Sequence, residues 1–299
     1  NTTGDKNIAI GHQSLLSLAT ANEIVAIGYN SLRALTTGTD NTAVGFEAGK
    51  SITTGDRNTA MGYLALSTMT TVADNTAVGY KAMTANTSGS NNTAVGKDAM
   101  LANTTGANNV AIGQNALETS TSGGANTAVG QLAAQDLTTG AENTAIGHEA
   151  GNNITTGTNN TLLGHEAGTD AVANVVASNG NIVIGNNYSA SAKIKIDWTV
   201  TSDLRDKTEI ESVPHGLNFV NQITPIKYRF KTSRENDTPN GVTRYGFKAQ
   251  EILALEGENP VLVDNGDTDN LKLTGAYLLP VLVNAIKELK AEIELLKNK

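Results

Sequence analysis

Asn41-Thr42-Ala43-Val44-Gly45 is one copy of a phrase that recurs through the first part of the chain. Its closing glycine returns as Gly11, Gly28, Gly45, Gly62, Gly79, Gly96, Gly113, Gly130, Gly147 and Gly164, always at a step of 17 residues, and Gly185 follows after 21. A fixed period without insertions means that each unit repeats one geometry against its neighbour, as in a solenoid.

Counting from the closing glycine, position −4 is Asn in most copies, from Asn7 to Asn160. Position −1 is Ile, Val, Met or Leu, as in Ile10, Val44, Met61 and Leu163. Position −3 is usually Thr, replaced by Ile8, Val25 and Val110, and position −2 is Ala from Ala9 to Ala145. Side chains alternate along a strand, so −1 and −3 share a face. The apolar replacements at −3 predict that this face is the interior, with the small Ala on the opposite side. Thr turned inward argues against a flat outward Thr array of the kind that binds ice. A second, weaker strand is expected around Ala at +3 (Ala48, Ala65, Ala82, Ala99) and Leu or Met at +4 (Leu32, Leu66, Met83, Met100). A second glycine seven residues before the first, as at Gly38, Gly55 and Gly89, predicts a turn with positive φ. Stacked Asn side chains can form hydrogen-bonded ladders between coils. At about 4.8 Å per coil, ten coils make a rod of roughly 50 Å. So thin a coil buries little apolar area against its ordering entropy, so partner chains are expected, in a homotrimer.

Composition divides the chain. Residues 1–197 hold 8 basic and 14 acidic residues, which leaves 13 and 15 of the 21 and 29 for residues 198–299. Neither part carries a basic field, so nucleic acid is not an expected partner. No run of about 18 apolar residues is present, so no membrane insertion is expected. There is no cysteine, hence no disulfide or thiolate metal site. No cofactor and no metal is expected. His148 and His165 lie 17 apart in Gly-His-Glu-Ala-Gly copies and are expected to stack, as a tandem duplication with exposed imidazoles. The chain opens at Asn1 in mid-pattern, which leads us to expect a longer parent protein.

Period 17 breaks after Gly168. Residues 1–168 are read as the solenoid shaft and 169–201 as a neck of transition strands, including Lys193-Ile194-Lys195-Ile196-Asp197-Trp198. Residues 202–299 are read as a separate α+β domain with a C-terminal helix over 277–298. Leu279, Leu282, Ile286, Leu289, Ile293 and Leu296 step 3, 4, 3, 4, 3 along that helix, a heptad seam suited to a trimeric coiled coil. At the seam between shaft and domain stands Thr201-Ser202-Asp203-Leu204-Arg205-Asp206-Lys207. A serine hydroxyl needs a base to take its proton, and a lysine amine serves when neutral. Asp203 and Arg205 suit a structural ion pair.

The repeats resemble the head repeats of trimeric autotransporter adhesins, with Asn7-Ile8-Ala9-Ile10-Gly11 the nearest copy. That resemblance implies a left-handed parallel β-roll. The C-terminal series is Ser202 to Ile210, Gly216-Leu217, Pro225 to Phe230, Tyr245 to Ile252, and Tyr277-Leu278-Leu279-Pro280 running into Ile286 to Leu289. It resembles the intramolecular chaperone auto-processing domain of phage tail fibres and tailspikes. This second resemblance implies a domain that trimerises, aligns the fibre ahead of it and cuts itself off at Thr201–Ser202, with Ser202 as nucleophile and Lys207 as its partner. Asp206 stands where that family usually has an apolar residue. Direct attack on the Thr201 carbonyl and an N→O acyl shift followed by hydrolysis both remain open.

The expected protein is a mainly β, homotrimeric fibre of the virion tail that attaches to a host-surface glycan or protein receptor. Its only enzymatic activity is the single self-cleavage. One alternative is a cellular trimeric adhesin at the cell surface that retains its chaperone. Another is a tailspike whose glycan-degrading site lies outside this chain, since Glu47, Glu149 and Glu166 are scattered at turn positions.

Overall fold

The computed structural model describes residues 3–169, 174–186, 189, 202–231, 234–266, 268–269 and 271–298. They divide into two compact units, Asn1–Asn187 and Tyr188–Lys299.

In the first unit each coil contributes one three-residue strand. These are β1 (Ile8–Ile10), β2 (Val25–Ile27), β3 (Thr42–Val44), β4 (Thr59–Met61), β5 (Thr76–Val78), β6 (Thr93–Val95), β7 (Val110–Ile112), β8 (Thr127–Val129), β9 (Thr144–Ile146), β10 (Thr161–Leu163) and β11 (Ile182–Ile184). They form one parallel sheet in chain order. Equivalent residues pair throughout, as Thr76 with Thr93 and Ala77 with Ala94. Thr161 pairs with Ile182, so the 21-residue step is absorbed outside the strands. The expected parallel β-solenoid is present.

Its faces are the reverse of the expectation. Ala26, Ala43, Ala60, Ala77, Ala94, Ala111, Ala128 and Ala145, all at −2, are buried, while −1 and −3 point outward. Met61 is 41 % exposed and Ile112, Ile146, Ile10 and Ile184 are also exposed. A strand of three residues sends only its middle side chain inward, and a 17-residue coil has room there for a methyl group. The opposite limb fills the rest with Leu32, Leu66, Met83, Met100 and Leu117 at +4. The inward-Thr argument against an ice-binding face therefore does not hold: Thr42, Thr59, Thr76 and Thr93 stand on the outer face beside the apolar −1 row.

That opposite limb is not a strand. Residues at +2 and +4 adopt left-handed backbone, for instance Lys81 (φ 54) and Met83 (φ 51), or Asp98 (φ 54) and Met100 (φ 50). The curl turns both Ala82 and Met83 into the core, which an extended chain does not do. Where +4 is Gly49, the space is taken: a Cβ there would lie 2.9 Å from Leu32 Cδ2 and 3.0 Å from Ile52 Cδ1. The closing glycines from Gly11 to Gly147 have φ between 128° and 143°, and a side chain on Gly96 would run into the Gly113 carbonyl of the next coil. Gly38, Gly89 and Gly106 were expected to supply positive φ. Instead they are required by close approach, each standing over the carbonyl oxygen of the next such glycine.

The expected Asn ladder runs through the interior. Asn109 N–H and Nδ2 both donate to Asn92 Oδ1, at 2.9 and 3.2 Å, and Nδ2 also donates to Gly123 O at 2.8 Å. Asn126, Asn143 and Asn160 repeat the pattern upon Asn109, Asn126 and Asn143. These amides are about 1 % exposed or less, so every donor and acceptor must be satisfied from inside. Ile24 replaces the amide in coil two, and its N–H still donates to Asn7 Oδ1 at 3.1 Å.

The second unit contains α1 (Leu217–Gln222), the hairpin β12 (Ile226–Lys231) and β13 (Pro239–Gly246), α2 (Ala249–Glu256), the short pair β14 (Val263–Asp264) and β15 (Lys272–Leu273), and α3 (Leu278–Lys297). Phe219, Ile252, Leu262, Val263, Leu278 and Val281 form its core. The Glu256 carboxylate accepts the backbone N–H groups of Val261, Leu262 and Val263 at 2.8, 2.7 and 3.1 Å, closing the loop after α2. The expected strand Lys193–Trp198 lies outside the described residues.

Asn109→Ala removes the acceptor of the Asn126 N–H, one of the two bonds of Asn126 Nδ2 and the side-chain donor to the Gly123 carbonyl, and is expected to lower shaft stability by about 2–4 kcal/mol. Thr105→Ala, at an exposed position, is expected to stay within about 0.5 kcal/mol. Urea denaturation midpoints of the two variants check this.

Candidate functional site

The turn that opens the second unit follows from three residues. Asp203 is extended (φ −68°, ψ 136°) and caps a one-turn 3₁₀ helix, Leu204–Asp206. Its Oδ1 accepts the Arg205 N–H at 2.9 Å, the usual bond of an N-cap carboxylate. The Arg205 guanidinium grips the same carboxylate, with Nε 3.1 Å from both oxygens and Nη2 2.5 Å from Oδ2. The Arg205 side chain, then its backbone N–H, holds the Asp203 carboxyl below the usual carboxylate range, and Asp203 in turn raises Arg205. Lys207 ends the turn, its N–H donating to Leu204 O at 3.2 Å.

This turn brings two of the expected site residues together. Lys207 Nζ donates to Ser202 Oγ at 2.8 Å, the contact a lysine base needs before it can take a hydroxyl proton. Thr201 lies outside the described residues. The Asp203–Arg205 pair expected from the sequence is present.

Other candidates fall elsewhere. His148 and His165 stack at 5.2 Å with rings 5° from parallel, each beside its own Glu149 or Glu166. Among the described residues no group of three or more His, Asp or Glu is placed to hold a metal ion. Glu47 is held below the usual carboxyl range chiefly by its hydrogen bond from Lys50, with Asn30 and Arg33 helping. No described helix is long and apolar enough to cross a membrane.

Three features escaped the reading of the sequence. One is a row of stacked rings at +1: His12, Tyr29, Phe46, Tyr63 and Tyr80, 5.1 to 5.2 Å apart. Its signal is visible, since the rings recur at step 17. Another is a second apolar stripe on α3. Leu278, Val281 and Ala285 are buried on the unit's own core, while the heptad residues Leu279, Leu282, Ile286, Leu289, Ile293 and Leu296 stay exposed. The last has no local signal. Glu288 of α3 accepts the Leu217 N–H at 2.6 Å, and Asn284 Nδ2 donates to His215 O at 3.0 Å. Glu288 thereby caps α1, whose own N-cap Gly216 has no side chain for it, while Asn284 holds the residue ahead of that cap.

Fold and turn together define a parallel β-solenoid joined in sequence to an α/β unit that opens on a hydrogen-bonded Ser–Lys pair. Residues 202–262 match the profile of the Peptidase_S74 family, described as the chaperone of endosialidase, which supports a chaperone domain in the C-terminal unit. No curated protein and no solved structure matches the chain.

Glu288→Ala removes the cap of α1 and is expected to cost the C-terminal unit about 1 kcal/mol, read as a lower denaturation midpoint of the 202–299 region by hydrogen exchange. A midpoint equal to wild type rules out the capping role.

Proposed function

We propose that the chain is a homotrimeric fibre protein for attachment to a host surface, folded by a C-terminal intramolecular chaperone that cuts itself off at Thr201–Ser202. One observation carries the cleavage. The family match begins at Ser202, the residue whose hydroxyl receives the Lys207 amine.

In this reading a neutral Lys207 takes the Ser202 Oγ proton as Oγ attacks the Thr201 carbonyl carbon. The C–N bond breaks as Lys207 passes that proton to the Ser202 amine, and one water then cleaves the resulting ester between the Thr201 carbonyl and Oγ, returning a proton to Oγ. The products are a Thr201 carboxylate and a free Ser202 amine. The chemistry needs no metal or cofactor.

The trimer rests on apolar surface that each unit leaves open. On α3 the exposed seam runs from Leu279 to Leu296, with the 3, 4 spacing that faces other helices. On the solenoid the −1 row is apolar in every coil and stands outward. Such rows are costly in water and mark contact surfaces. Partner chains covering this face leave no open threonine array for ice. The receptor class is a host glycan or protein, and the setting is a virion tail fibre.

Denaturing electrophoresis of the full chain tests the cut. Wild type is expected to yield a fragment of 98 residues, 202 to 299, and Ser202→Ala and Lys207→Ala to remain whole. Full-length chain in all three lanes removes the peptidase reading. Light scattering tests the trimer separately. Ser202→Ala is expected at three times the chain mass of 31.0 kDa, and Ser202→Ala combined with Leu289→Glu and Ile293→Glu at one. A monomeric Ser202→Ala chain refutes the assembly.

A further inference from the structure

The Ser202–Lys207 contact is a long reach for a short segment. Five residues drawn out at about 3.3 Å each separate their ends by roughly 17 Å, yet the two side chains meet at 2.8 Å. The chain must fold back between them, and it does so in the single 3₁₀ turn Leu204–Asp206. An isolated turn of this kind fixes several dihedrals for very few bonds and does not persist alone. Here it has two backbone bonds, Asp206 N–H to Asp203 O and Lys207 N–H to Leu204 O, both at 3.2 Å. Packing does not hold it: none of its residues is buried, and Leu204 is 68 % exposed.

What remains is the Asp203 side chain. Its Oδ1 satisfies the Arg205 N–H that the turn leaves open, and the Arg205 fork fixes the carboxylate in that pose through both oxygens. We propose that Asp203 is the positioning residue of self-cleavage: by capping the turn it carries Lys207 back onto Ser202, with Arg205 as the clamp on the cap. The proposal rests on Ser202 and Lys207 being the cleaving pair. Asp203 touches neither reacting atom, so it acts through the turn. Its carboxylate is needed as a hydrogen-bond acceptor rather than as a charge.

The test is a time course of the 98-residue fragment from full-length chain, with oligomeric mass measured on each variant. Asp203→Ala loses the cap and is expected to slow cutting on the order of tenfold. Asp203→Asn keeps an acceptor at the same reach, and Asn caps as well as Asp, so it is expected to cut within about threefold of wild type. Arg205→Ala is expected to slow cutting less than Asp203→Ala, because the bond to the Arg205 N–H survives. If Asp203→Ala fails to assemble, Asp203→Gln takes its place, with the same amide on an arm one methylene too long to cap. The proposal requires Gln slow and Asn fast. Cutting of Asp203→Ala at the wild-type rate overturns it, and so does Asp203→Asn as slow as Asp203→Ala, which makes the charge essential instead. A wild-type chain that never cuts overturns the Ser–Lys reading, and this proposal with it. A wild type that cuts, beside an unaffected Asp203→Ala, overturns this proposal alone.

Discussion

Everything in the solenoid depends on one backbone lying directly on another. At the closing glycines from Gly11 to Gly147, and again at the glycines seven residues earlier from Gly38 to Gly157, the space a Cβ would occupy is filled by a carbonyl oxygen of the next coil. That closeness lets each coil bond to both neighbours, as when Gly79 N–H reaches back to Met61 O at 2.7 Å and Thr76 N–H reaches forward to Asn92 O at 2.8 Å. It also explains why the coil tolerates left-handed backbone at non-glycine residues. Leu66, Met83 and Met100 hold φ near +50°, a sparsely populated region that persists only where the surroundings over-determine it. Bonds to adjacent coils, repeated at every turn, supply that determination. The buried Asn ladder adds the same service inside, where no water can satisfy the N–H of the following coil.

Much of this was legible in the chain, and the part misread has a definite cause. Period, glycine column and Asn column follow from counting. The direction of the faces did not, because Ile8, Val25 and Val110 in place of Thr looked like core residues. In a structure whose outer face is itself apolar, hydrophobicity does not tell inside from outside. Volume does. Leu162 is the one large residue at −2 among β2 to β10, and Gly151 and Gly168 lie where its side chain comes to rest, each too close to it for a Cβ of its own. Glycine at +4 in those coils, against leucine or methionine in most others, is a compensation readable from the sequence alone, and it marks −2 and +4 as sharing one interior.

In the C-terminal unit the heptad seam was legible and the second stripe was not. A seam at 3, 4 spacing stands out because it recurs six times, whereas Leu278, Val281 and Ala285 amount to barely two turns. Their role is set by tertiary contact with the α1 region. Glu288 belongs to the same category: its partner is 71 residues away, a separation at which pattern carries no information. The helix thus has two obligations at once. Its first turns close the unit's own core and cap α1, while its seam remains unsatisfied within one chain.

The repeat that makes the shaft simple to build also makes it hard to align. The outward −1 row reads Val44, Met61, Val78, Val95, Ile112, Val129 and Ile146, a set so alike that a partner chain displaced by one coil meets almost the same surface. Register is weakly specified wherever successive positions are equivalent, and here the equivalence extends over most of the sheet. The aromatic row breaks it only between His12 and Tyr80, and the stacked imidazoles only at His148 and His165. Marks that lie within a run of identical coils correct a slip only after the coils between them have already paired. The C-terminal unit carries no 17-residue repeat, so a partner aligned on it has no such run of equivalent coils to choose among. In the proposed trimer, association that starts there would begin in register and extend toward the repeats. Under the proposed self-cleavage, severing the link afterwards would leave the stacked coils in place and remove the element whose dissociation lets them slip, so the alignment would be retained kinetically.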